Sequence, residues 1–183
     1  MGTASAERLV VIEAPSIAVL ALGAAAAATD TTTRRIPNAL TFGAAAVGVA
    51  FAAATGGVQG LGWSVAGWMV GLLLFVPLFA LRARGGGDVK LLAAFGAWLG
   101  PVLVFWVAVY GAIAGGVLAL LLVLWRRRLR ATIANMWDIV THWRLSGLKP
   151  HPVVTLDNPG AVRMPGALSI ALGALATLWL RVW

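Results

Sequence analysis

"GGGDVKLLAAFGAWLGPVLVFWVAVYGAIAGGVLALLLVLW", Gly85–Trp125, decides the fold class. After Lys90 it carries no charge until Arg126. At about 1.5 Å per residue, such a run is longer than the ~30 Å hydrocarbon core of a bilayer. Gly100–Pro101 marks a turn inside it. The stretch reads as two helical segments of a membrane protein, roughly 88–100 and 101–125. The shorter covers about two thirds of the core unless it begins before Asp88.

The rest of the chain agrees. Of its 183 residues 61% are hydrophobic, and the mean hydropathy is +0.92. In hydrocarbon only helices or a closed barrel satisfy every backbone hydrogen bond. The apolar runs are long and lack the short alternating pattern of barrel strands. The expectation is one all-α polytopic membrane domain over 1–183. It has about six transmembrane helices plus a cytoplasmic amphipathic helix. The spans fall at roughly 9–29, 39–55, 58–81, 88–100, 101–125 and 161–182. Cysteine is absent, which excludes disulfides, thiolate metal sites and a cysteine nucleophile.

The formal net charge is +8. In the six-span reading every Lys and Arg except Arg8 and Arg181 falls on one side. Basic loops stay in the cytoplasm, so both termini are expected outside. The charge reads as orientation and attraction to anionic lipid; no nucleic-acid module is visible. Segment 126–160 differs from the spans. Leu129, Ile133, Met136, Trp137, Val140 and Trp143 recur at helical spacing, behind Arg126, Arg127, Arg128 and Arg130. This is the expected amphipathic helix on the cytoplasmic leaflet; a solvated basic loop is the alternative. Gly67/Gly71, Gly96/Gly100 and Gly111/Gly115 are spaced for close helix packing.

The acids are Glu7, Glu13, Asp30, Asp88, Asp138 and Asp157. Glu7 and Glu13 fall on the outer side, Asp138 in the basic helix, and Asp157 in a turn. Asp30 closes the first span, where a negative charge opposes the helix dipole. Asp88 opens the fourth. There it reads either as a helix N-cap behind a glycine loop or as a functional acid at the membrane. Together the two support peptide hydrolysis. One carboxylate takes a proton from water while the other, protonated, polarises the carbonyl. Such a pair titrates as a unit. Glycines before Asp88 would let an extended substrate backbone come close. His142 and His151 lie in the basic loop, and neither H-E-x-x-H nor G-x-S-x-G occurs. No metal or cofactor is expected.

"DTTTRRIPNALT", Asp30–Thr41, and "GGGDVKLLAAFGAWLG", Gly85–Gly100, resemble the two motifs of the type IV prepilin peptidases. These are GxGD-type aspartic peptidases of the bacterial inner membrane. The chain looks most like the short members that process Flp-type pilins. "RMPGALSIALG", Arg163–Gly173, is a weaker echo. The resemblance implies a catalytic pair, Asp30 and Asp88, with motif glycines Gly85 and Gly87 and motif lysine Lys90. Lys90 would position the carboxylates or a substrate acid. Arg35, Ile36, Pro37 and Asn38 would form the loop after the first aspartate. The implied partner is a prepilin or pseudopilin, whose short basic leader is cut off at the cytoplasmic face. Longer relatives also methylate the new amino terminus, using an extra domain often with paired cysteines; here that activity is expected to be absent. Two other readings stand beside this one. One is a GxGD peptidase that cuts within a span, with its acids deeper in the bilayer. The other is a non-enzymatic transporter or assembly subunit.

Overall fold

A computed structural model describes residues 2–82, 84–147, 149 and 166–181, with side chains among these from Glu13 to Leu180. It is all-helical among those residues. The helices are α1 (Gly2–Thr33), α2 (Asn38–Ala80), α3 (Gly86–Trp125), α4 (Leu129–Ser146) and α5 (Gly166–Arg181). Three contain stretches long and apolar enough to cross a membrane: Glu13–Thr33, Asn38–Ala80 and Gly86–Trp125. Gly166–Leu180 is a shorter apolar helix.

Two of these helices are bent double. Drawn straight, the 43 residues of α2 would hold Asn38 and Ala80 about 63 Å apart. Instead both line one cavity. Asn38 accepts a hydrogen bond from Lys90 at 2.9 Å, while Gly71 packs on Leu92 and Ala93. Both halves of α2 therefore flank the start of α3. The reversal lies at Gly57, whose φ of 57° is left-handed and favours glycine. In α3 the reversal lies at Gly100, φ 79°, just before Pro101. Asp88 and Gly115 would stand about 40 Å apart on a straight helix, yet Arg84 reaches both. The expected segments 39–55, 58–81, 88–100 and 101–125 thus correspond to halves of α2 and α3. The fourth begins earlier than expected, at Gly86. Segment 161–182 is described as helix only over Gly166–Arg181; residues 161–165 and 182 lie outside the described residues.

The first half of α3 is the centre of the bundle. Leu91, Leu92, Ala94 and Phe95 are fully buried, with Val19 and Ala26 of α1 and Ala167 and Ala174 of α5. Glycine lets the backbones meet. A methyl on Gly67 would overlap the Gly96 carbonyl, and one on Gly96 would overlap the Gly67 carbonyl. Gly111 and Gly173 face each other where α3 meets α5. Buried polar groups on these faces are bonded, as low-polarity surroundings require. Ser64 donates to the Ala97 carbonyl at 2.6 Å, and Trp98 Nε1 to the Ala44 carbonyl at 2.9 Å. Large apolar side chains such as Phe42, Trp63, Leu73 and Leu121 face outward. That surface suits lipid rather than water.

Candidate active site

The two motif acids arrive at one place by different routes. Asp30 sits in the last turn of α1, which runs on to Thr33. Its carboxylate finds the opposite pole of another helix: Ala167 N–H, in the first turn of α5, donates to Asp30 Oδ2 at 3.1 Å. Such first-turn amides lack intrahelical partners and carry partial positive charge. The acid that opposes the dipole of its own helix therefore complements that of α5.

Asp88 lies in the first turn of α3 but does not cap it. The N-cap is Gly85, and no side chain bonds there. The N-cap reading of Asp88 is thus corrected: the chain enters the helix three residues earlier, freeing the carboxylate. Asp88 Oδ2 instead accepts from Arg84 Nη1 at 3.3 Å. Arg84 is itself held. Its guanidinium stacks 5.0 Å from the Phe75 ring centre and lies 3.5 Å from Ser169 Oγ.

Gly166 joins the two acids. A β-carbon there would overlap the Asp88 carboxylate, while the next residue donates to Asp30. Laid end to end, these contacts put the two carboxylates within about 9 Å. They are within electrostatic reach of each other. Both open onto a cavity of ≈ 1100 Å³, lined also by Arg34, Arg35, Arg82, Arg84 and the three glycines. An acid pair opening onto such a cavity can hold and deprotonate a water.

The other motif residues tie the two segments together. Ile36 packs on Gly87, where a β-carbon would come within 3.3 Å. Pro37 sets the entry to α2 at φ −59°, and its carbonyl accepts from Leu40 N–H at 3.1 Å. Lys90 Nζ reaches Asn38 and lies 5.3 Å from the Phe42 ring centre. Its ammonium thus bonds the first residue of α2. Arg35 is exposed at the cavity edge. Gly85 is extended, at φ −77°, with open space where a side chain would go. Of the two motif glycines only Gly87 is closely packed, and neither has a left-handed backbone.

Of the remaining acids, Glu13 lies about 25 Å along α1 from Asp30, and Asp138 is exposed on α4. The Glu7 side chain and Asp157 lie outside the described residues. Among the described residues no three His, Cys, Asp or Glu side chains gather. Sequence reasoning missed Arg84, Gly166 and Ala167. Arg84 lies four residues before Asp88, outside the helix, and an opposite charge so near in sequence was a usable signal. Gly166 and Ala167 lie within the weak echo at 163–173, but nothing local ties them to acids so distant in the chain.

No curated protein and no solved structure matches the chain. A family model does match, that of the type IV leader peptidases, over residues 17–120. The match contains both acids and the loops that carry them, and ends before α4 and α5. With more than half of its length matched, the chain belongs to the type IV leader peptidase family, and is a membrane peptidase.

Proposed function

We propose that the protein is an aspartic endopeptidase that removes the short basic leader from Flp-like type IV prepilins, using Asp30, Asp88 and a water. The observation that carries this reading is the meeting of both acids at Gly166–Ala167. Hydrolysis by this pair requires one carboxyl ionised and the other protonated. The ionised member removes a proton from water as the oxygen attacks the scissile carbonyl. The protonated member hydrogen-bonds the carbonyl oxygen as it gains charge. Collapse of the tetrahedral intermediate breaks the C–N bond, and a proton passes from the pair to the departing amine. The proton belongs to the pair, so neither aspartate is named acid or base.

Further parts of the proposal follow from orientation. The end of α1, the start of α3, both ends of α2 and the start of α5 converge where Arg34, Arg35, Arg82 and Arg84 line the cavity and Lys90 reaches Asn38. The positive-inside rule makes that face cytoplasmic, in a bacterial inner membrane, with the chain crossing six times through its doubled helices. The reaction proposed needs no cofactor, and methylation of the product is not part of it.

One observation favours a deeper cut. Past Gly115, which lies beside Arg84, α3 continues to Trp125, about 15 Å of helix. Val117, Leu120, Leu121 and Leu124 along it are exposed and apolar. The acids then sit below the level where α3 leaves the lipid, as in a peptidase cutting inside a span. Purified full-length protein incubated with a Flp-like prepilin separates the readings. Product masses matching cleavage at the junction of basic leader and hydrophobic segment support leader removal. A cut inside the hydrophobic segment supports the second reading.

A further inference from the structure

Helix α4 has no buried residue along its length. Five of its large apolar side chains nevertheless share one face: Leu129, Ile133, Met136, Trp137 and Val140 follow the helical repeat. All are exposed, Trp137 at 71%. Ala131 and Asp138 lie on the opposite face by the same repeat. A stripe of this kind calls for cover.

Continuity and charge indicate what covers it. The connector from α3 is Arg126–Arg128, and Arg127 turns the chain sharply at φ 52°. So α4 begins at the level where α3 leaves the hydrocarbon, next to an exposed Trp125. Arginines 126, 127, 128 and 130 surround that start. Trp137 and Trp143 are residues that favour the headgroup boundary.

We propose that α4 lies in the plane of the bilayer surface, its Leu129–Val140 stripe in the acyl boundary and its arginines on anionic headgroups. This rests on α3 crossing the membrane, not on the peptidase reading. The proposed occupant is the anionic leaflet itself.

The chain has no cysteine, so a single introduced thiol can be labelled cleanly. Met136→Cys and Ala131→Cys, each in the full-length protein, are given nitroxide labels. They are reconstituted in phosphatidylcholine vesicles with and without phosphatidylglycerol. Accessibility to dissolved oxygen and to a water-soluble nickel complex is then measured. In phosphatidylglycerol vesicles the Met136→Cys label should favour oxygen several-fold, and the Ala131→Cys label nickel. Without phosphatidylglycerol, or with the four arginines changed to Gln, the Met136→Cys label should shift toward nickel. A Met136→Cys label shielded from both reagents means a protein partner covers the stripe, and overturns the proposal. So does a label open to nickel in anionic vesicles, or one indifferent to lipid charge.

Discussion

Gly166 lies so close to Asp88 that a β-carbon would overlap the carboxylate. Its neighbour Ala167 holds Asp30 through a backbone amide. One short piece of backbone thus separates and orients both acids. Gly166→Ala should cut leader processing by roughly 100-fold, the scale of loss when reacting groups are displaced by about 1 Å. Helix propensity alone would favour alanine there by about 1 kcal/mol. Processing assays on protein shown by light scattering and thermal melting to be folded check this; full activity would contradict it.

Arg84 is expected to hold Asp88 in place without touching substrate. Arg84→Ala should lower kcat by about 10- to 100-fold, the equivalent of a lost charge-assisted hydrogen bond. Arg84→Lys should restore part of it, since the ion pair survives while the stacking on Phe75 weakens. Kinetics on a prepilin, with kcat and KM resolved separately, supply the readout. A change in KM alone would mean a role in binding.

Lys90 and Asn38 join the two motif segments through one bond. The pair is exposed, so its coupling should be small, about 0.5–1 kcal/mol. Lys90→Ala and Asn38→Ala should each weaken the fold slightly, and the double variant little more than either. A double-mutant cycle on thermal stability in detergent gives the coupling.

Gly67 and Gly43 both lie in α2 and should answer oppositely to alanine. Gly67 abuts the Gly96 carbonyl, and Gly67→Ala should cost about 1–3 kcal/mol or prevent folding. Nothing lies within 4 Å of a methyl at Gly43, so Gly43→Ala should stabilise by about 0.5–1 kcal/mol. Unfolding midpoints of the two variants decide.

Much of the architecture was legible because hydrocarbon imposes one rule on every segment. Apolar runs marked the helices, and Gly57 and Gly100 fell where turns were expected. The two aspartates stood out because an acid among apolar spans has few ordinary roles. What stayed hidden depends on long-range contacts. Of the two readings of Asp88, N-cap or functional acid, the cap fails because the helix begins earlier, which leaves the carboxylate to Arg84. Gly166 looked like any small residue opening a span. Its meaning lies in a carboxylate remote in sequence, and no local pattern encodes that meeting. Lys90 was expected to position the carboxylates or a substrate acid, and its bond to Asn38 was not legible from the motif.

The dyad is tested most directly by cleavage of a co-expressed Flp-like prepilin. Wild type is compared with Asp30→Asn, Asp88→Asn and Asp138→Asn, each at equal membrane levels. Wild type and Asp138→Asn should shorten the pilin by its leader. Asp30→Asn and Asp88→Asn should leave it full length. Full processing by either of those two variants would contradict a catalytic pair at Gly166–Ala167.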